Sequence, residues 1–184
     1  QRQMCIRDSH KPAPQTHKTA LPKKFTFNEE IGLDCLEIKD NNGDRYTFLN
    51  IVCQGTTFQR CVLVRTGGGN PSSRTCLEAF QSHWYGWAGT PSRIITDRGL
   101  HNRGVFLEWV KKQGIDIRDA GVESPEQIGR TERHGGLWKD IMKKVILDRN
   151  VIGEAEMIAA AAEVNNTKTE LSRTGGFAPS RGKL

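Results

Sequence analysis

Of the 21 Asp and Glu residues, three sit where a carboxylate could do chemistry. Asp34 lies in the middle of the apolar run Ile31–Ile38 (IGLDCLEI). An ionised carboxylate among apolar neighbours is costly unless something compensates it. A bound cation is one compensation; a strand edge or an internal hydrogen bond is another. Asp97 ends the run Arg93–Thr96 (RIIT) and precedes Arg98-Gly99. Ligands of open α/β sheets gather beyond the carboxyl ends of strands, although Asp-Arg-Gly is also an ordinary turn. Glu132 stands near the start of a long helical pattern. Hard oxygen donors of this kind suit Mg²⁺, and a two-metal site activates an attacking oxygen while stabilising the leaving one. A strand interior, a strand end and a helix start can supply three such acids at one end of a sheet. No Ser-His-Asp pattern is evident, so no side chain need act as nucleophile. His101 and His134 could touch phosphate or act as local acids, but structural or solvated roles are the simpler reading.

The elements that must position these acids follow from periodicity. Ile31–Ile38 has the texture of a strand buried on both faces. Asn41-Asn42-Gly43-Asp44 is a tight-turn signal, followed by strands Tyr46–Cys53 and Gln59–Val64 around the turn Gly55-Thr56-Thr57. Gly67-Gly68-Gly69-Asn70 lacks the Gly-Lys-Ser/Thr of a phosphate loop and reads as a connection. Ser72 or Ser73 caps a helix running to about Trp87, whose Cys76, Leu77, Phe80, Trp84 and Trp87 form a core-facing stripe. Arg93–Thr96 is a strand, and Val105–Lys112 a helix with Val105, Phe106, Trp109 and Val110 on one side. Ile115–Ile117 makes a fifth strand, Gly121–Gln127 a polar loop, and Gly129–Arg149 and Glu154–Thr167 two helices. The order βββαβαβαα predicts an α/β fold, a five-stranded mixed sheet flanked by helices.

On a wheel of about 100° per residue with Glu132 at the origin, Lys139 and Lys143 fall within roughly 20° of it. Leu137, Ile141 and Val145 fall on the opposite side and are the expected buried stripe. Lys139 and Lys143 are thus candidates for contacting phosphate beside Glu132, with Arg130 and Arg133 flanking them. Ordinary solvated lysines would show the same pattern.

Composition narrows the function classes. A chain of 184 residues suits one domain with tails. No apolar run is long enough to span a bilayer, and Gln1–Ser9 lacks the apolar core of a signal peptide. The net charge is +6, but Gln1–Lys24 holds six Lys/Arg against one Asp, so the remainder is close to neutral. A general nucleic-acid-binding charge therefore rests on that tail. Residues 1–24 read as tail and linker, and Gln1–Ser9 (QRQMCIRDS) resembles a translated library adapter. Residues 25–184 form the expected domain. Cys35, Cys53, Cys61 and Cys76 make no CxxC pair and have apolar neighbours, which favours buried free thiols over zinc or a disulfide.

Three segments carry a family likeness. Phe27–Asp34 (FNEEIGLD), Ile95–Gly99 (ITDRG) and Gly129–Gly136 (GRTERHGG) resemble the catalytic core of retroviral-type integrases, and most nearly that of LTR-retrotransposon integrases. The resemblance runs from about Phe25 to Leu184, where Asn166-Thr167 and Gly175–Pro179 (GGFAP) match the end of the core. It implies a ribonuclease-H-like fold and a DDE site in which Asp34, Asp97 and Glu132 are both catalytic and metal-binding. It further implies two Mg²⁺ or Mn²⁺ ions, 3′-end processing and strand transfer of element DNA, duplex DNA and a homo-oligomer as partners, and no membrane. Location in the nucleus when active, and in the cytoplasm before import, belongs to the same expectation. So does origin as a fragment of a longer polyprotein with separate zinc and carboxy-terminal domains. The sequence departs from the pattern in several places. The spacing from Asp97 to Glu132 is one residue short, Leu100-His101-Asn102 replaces the usual Thr-containing run, Ile128 stands in the usual Asn-Gly, and Gly136 takes the place of a basic residue. Glu123 and Glu126 are rival third ligands outside the Gly-Arg-Thr-Glu-Arg context. A domesticated or inactive integrase-derived nucleic-acid-binding module, or a ribonuclease-H-like nuclease, are the alternative readings.

Overall fold

The computed structural model describes residues 26–96, 104–119 and 125–171. β1 (Glu30–Lys39), β2 (Arg45–Cys53) and β3 (Gln59–Thr66) form an antiparallel meander. The Asn41–Asp44 turn closes on the Asp40 carboxylate. That group accepts hydrogen bonds from the Asn42, Asp44 and Gly153 amides at 2.9–3.0 Å and from the Tyr46 hydroxyl at 3.2 Å. Burial pushes its pKa up, but these donors outweigh burial and hold the group below the usual carboxylate range. Asp40 is thus a structural acid.

β4 (Arg93–Thr96) lies on the other side of β1, parallel to it, and β5 (Asp116–Asp119) lies parallel beyond β4. The sheet order is β3-β2-β1-β4-β5, which puts the strand carrying Asp34 at the centre. This is the five-stranded mixed sheet expected from the sequence. β5 begins one residue later than expected and ends two residues later; the Ile115 amide donates to the Val110 carbonyl at 3.2 Å, closing the preceding helix rather than joining the ladder.

Alternation along β1 divides its residues between two cores. Ile31 and Leu33 join Leu49, Ile51, Phe58, Trp84, Ile94 and Phe106 on one face. Leu36 and Ile38 join Tyr46, Phe48, Trp138, Met142 and Ile146 on the other. The first face is covered by α1 (Ser73–Phe80), a π-helical stretch Gln81–Tyr85, α2 (Gly86–Ala88) and α3 (Val105–Lys112). Ser72 caps α1 by accepting the Thr75 amide at 3.1 Å. Trp87 was expected in the core stripe. The π-helical stretch shifts the phase of the helix, and Trp87 ends 44% exposed at the edge of the Phe27–Phe58–Trp84 aromatic group. Val105 is likewise exposed, at the first turn of α3, while Phe106 and Val110 are buried.

The second face is covered by α4 (Pro125–Arg149) and α5 (Glu154–Leu171). α4 starts before the expected Gly129. Residues 121–124 of the expected loop lie outside the described residues, and 125–127 are helical. Proline is suited to the first helical position because the first-turn N–H has no intrahelical partner. The buried stripe of α4 is also not the expected one. Trp138, Met142 and Ile146 are buried, while Leu137 is 45% exposed and Ile141 and Val145 are only half-buried. The reason is steric. The helix lays its small residues, Thr131 and Gly135, against the sheet, and this rotates the large side chains of the next turns inward.

That approach depends on Gly32. A Cβ there would sit 2.0 Å from Thr131 Oγ1 and 2.5 Å from Gln54 Nε2. Gly32→Ala must therefore displace the Thr131 and Gln54 side chains, and it leaves Thr131 Cβ only 3.1 Å from the new methyl. Overpacking of this kind costs about 1–3 kcal/mol, so the thermal midpoint should fall by roughly 3–10 °C in a calorimetric scan.

Candidate active site

Gly32, Asp34 and Leu36 share one face of β1, the face under α4. Gly32 meets Thr131, and Leu36 meets Gly135, where a Cβ would lie 3.1 Å from a Leu36 methyl. Asp34 therefore stands on the sheet between two points of contact with the first described turns of α4. Glu132 is the residue after Thr131 in that segment. Asp34 is half-buried, and its Oδ1 accepts the Cys35 amide at 2.7 Å. Glu132 is exposed on the flank of the helix, about a quarter turn from its buried stripe. The third acid, Asp97, lies outside the described residues. It follows Thr96, which is paired with Leu33, the neighbour of Asp34. Among the described residues no three metal-ligating side chains cluster. Asp34 and Glu132 nonetheless offer the oxygen donors a hard divalent cation requires, one from a strand interior and one from a helix flank.

Three buried amides, from β2, the turn after it and β3, hold the segment that carries Glu132. Asn50 is the cross-strand partner of Asp34, and its Nδ2 donates to the Thr131 carbonyl at 3.4 Å. Gln54 Nε2 donates to Thr131 Oγ1 at 2.8 Å. Gln59 Nε2 donates to Asn50 Oδ1 at 2.6 Å and to the His134 carbonyl at 3.3 Å. Asn50, Gln54 and Gln59 are at most 1% exposed. Sequence reasoning passed over them. The signal was a polar residue in the apolar run YTFLNIVC, with glutamines flanking the next turn.

The cationic candidates divide. The Arg130 guanidinium donates to the Gln54 carbonyl, so it is at least partly engaged in holding the helix. Arg133 and Lys143 are exposed, and Lys143 Nζ lies 3.9 Å from Asp140. Lys139 is half-buried. His101 and Glu123 lie outside the described residues, as does the side chain of Glu126.

No protein-family model matches the sequence, and no curated protein matches it. Solved structures do. The HTLV-2 integrase catalytic core domain in complex with magnesium, in a dimeric form, is 18% identical, with a TM-score of 0.71 over 88% of this chain and 100% of that one. A trimeric form of the same domain gives a TM-score of 0.70 at 18% identity, with the same coverage. A chain of the simian T-cell lymphotropic virus intasome in complex with PP2A regulatory subunit B56 gamma gives 0.72 at 17% identity, over 86% of this chain and 55% of that one. The fold is therefore the ribonuclease-H-like architecture of retroviral integrase catalytic cores.

Behind the amides a half-buried histidine meets a buried lysine. Lys168, 3% exposed, places Nζ 2.9 Å from His134 Nδ1. Burial, with Lys168, Arg130 and Arg133 nearby, lowers the His134 pKa to about 4, so the imidazole is neutral and can accept from the ammonium. His134 is thus structural. Burial lowers the Lys168 pKa from 10.5 to about 8, and the nearby Cys61 thiol opposes the shift. The unfolded chain then binds more protons than the folded one between pH 8 and 10.5, so this group makes stability rise with pH across that window. Chemical denaturation from pH 7 to 10 should show this rise in the parent chain, superimposed on other titrations. Lys168→Met should lack that component.

Proposed function

We propose that the chain is a metal-dependent polynucleotidyl transferase core, acting in 3′-end processing and strand transfer of element DNA. The observation that carries this is the placement of Asp34 on β1 between Gly32 and Leu36, the two residues that meet Thr131 and Gly135 beside Glu132. One of the similar structures, the HTLV-2 core, is described with magnesium. Asp34, Glu132 and Asp97 are the residues that would hold divalent ions here. When bound, such ions supply Lewis-acid stabilisation of charge on the phosphoryl oxygens. The chain's own residues orient the acids and present the helix flank to the DNA. Water, or a 3′-hydroxyl in strand transfer, attacks phosphorus in line and the 3′-oxygen departs. The P–O bond to that 3′-oxygen breaks as the new P–O bond forms, the nucleophile's proton goes to solvent, and the departing oxygen takes a proton from solvent to become a 3′-hydroxyl. The partners are duplex DNA and further copies of the chain, in keeping with the dimeric, trimeric and intasome forms of the similar proteins.

Two substitutions test the acids. Asp34→Asn and Glu132→Gln should each lower Mg²⁺-dependent joining of a DNA end to duplex DNA by about 100-fold or more, since outer-sphere changes alone typically cost 10–100-fold. Neither should lower the thermal midpoint. Cleavage of an RNA–DNA hybrid without joining of duplex DNA would point to a ribonuclease-H-like nuclease instead.

The cations give a separate test. Each phosphate contact by a lysine releases counterion, so Lys139→Ala should lower the slope of log affinity against log salt by about one unit on duplex DNA. Superimposable salt titrations would remove Lys139 from the DNA surface.

A further inference from the structure

We infer that Asn50, Gln54 and Gln59 are positioning residues that set the rotation and height of α4 over β1, and through it the carboxylate of Glu132 relative to Asp34. This rests on the transferase reading above and deepens it. Apolar packing fixes how closely a helix approaches a sheet but is tolerant of rotation and sliding. Hydrogen bonds to particular backbone carbonyls are not. The amides reach the Thr131 carbonyl at 3.4 Å, the Thr131 hydroxyl at 2.8 Å and the His134 carbonyl at 3.3 Å, so they hold both ends of the turn containing Glu132. A slip of one residue would move the helix by about 1.5 Å and turn it by about 100°. All three contacts would break, leaving buried amides unpaired. Arg130 locks the same register from the helix side by donating to the Gln54 carbonyl.

The set also ties the two acids together. Asn50 faces Asp34 across the β1–β2 ladder, and its other amide atom accepts from Gln59. One continuous chain of hydrogen bonds therefore joins the strand neighbour of Asp34 to the turn of Glu132. Its members are buried and none is placed to touch substrate. Such a network is costly in a core, and here Gln59 Oε1 is left without a partner among the described residues; its distinctive property is geometric specificity. Metal ligands need that, because a productive site tolerates errors of only about 0.5 Å.

The test separates positioning from folding. Thr131→Val with Gln54→Met removes the donor and the acceptor together, so no buried group is left unpaired at that contact. Mn²⁺ binding to the full chain, followed by loss of the free Mn²⁺ electron paramagnetic resonance signal, is measured beside the thermal midpoint. The double variant should keep a midpoint within a few degrees of the parent but need about tenfold more Mn²⁺ for half-saturation, the scale of an outer-sphere loss. In DNA joining, its kcat should fall while KM for DNA stays within about twofold. Thr131→Ser keeps the hydroxyl and should restore the parent Mn²⁺ titration. An unchanged Mn²⁺ titration and kcat in the double variant would overturn the inference while leaving the transferase reading intact. A Glu132→Gln chain that binds Mn²⁺ like the parent would overturn both.

Discussion

A helix can approach a strand only as far as the intervening Cβ atoms permit, and at Gly32 there is none. The first described turns of α4 settle into that gap, with Thr131 in the space a side chain would fill. The rest of the second face follows. With Thr131 and Gly135 against the sheet, Trp138, Met142 and Ile146 turn inward and define the core shared with α5. Leu137 is left outside, and Glu132 comes to lie on the helix flank rather than beneath it or opposite it. A missing methyl on one strand therefore admits the close approach on which the buried side of a 25-residue helix depends.

The same geometry explains why so much polar material is buried nearby. Close approach brings helix carbonyls near the sheet, and polar groups removed from water need partners. Asn50, Gln54 and Gln59 supply them from the sheet side. At the sheet edge, Asn165 of α5 does a related job. Its amide accepts from the Cys61 N–H at 3.0 Å and donates to the Cys61 carbonyl at 2.9 Å, in the manner of a neighbouring strand. The Trp138 indole donates to the same Asn165 oxygen at 3.0 Å, so one side chain joins β3, α4 and α5. Apolar residues at these positions could fill the volume but would leave backbone groups of an edge strand unpaired.

The sequence made the fold legible wherever one physical signal dominated. The apolar runs of β1 to β4, the Asn-Asn-Gly-Asp turn and the serine cap each have a local cause, and the structure has them close to where they were expected. Other features depend on what lies across the space between elements. Periodicity alone assigned Leu137, Ile141 and Val145 to the core, because larger aliphatics outweigh Gly135 and Thr131 in any hydrophobic count. The close packing that reverses this is a property of the pair Gly32–Thr131, separated by about a hundred residues. The π-helical stretch before Trp87 has no comparable local signature. Of the candidate site, Asp34 stood out as an acid in an apolar run. The amides did not, because a lone Asn or Gln in a strand has many uses and only the opposing helix shows which one applies.

The two faces of the sheet are different kinds of core, and the difference bears on the chemistry proposed here. The face under α1 and α3 is packed from Phe58, Phe80, Trp84 and Phe106 with aliphatic neighbours, the Phe80 and Phe106 rings edge-on and Phe58 tilted against Trp84. Such packing stabilises without demanding one exact arrangement. The face under α4 and α5 carries a seam of directional contacts running from Gln54 through Asn50 and Gln59 to Cys61, His134 and Lys168. Neutral His134 and buried Lys168 extend that seam into α5, so α5 is tied to the register of α4 as well. The first face has directional bonds of its own, with Asn28 accepting from the Trp84 indole at 2.9 Å and donating to the Ala88 carbonyl at 2.7 Å, but the longer seam lies on the face that carries Asp34 and adjoins Glu132. A site that must hold two carboxylates from separate elements in fixed relation needs a support whose energy changes steeply with rotation and sliding. Hydrogen bonds have that property and dispersion contacts do not. The longer seam of directional bonds thus runs where two carboxylates must be held in fixed relation.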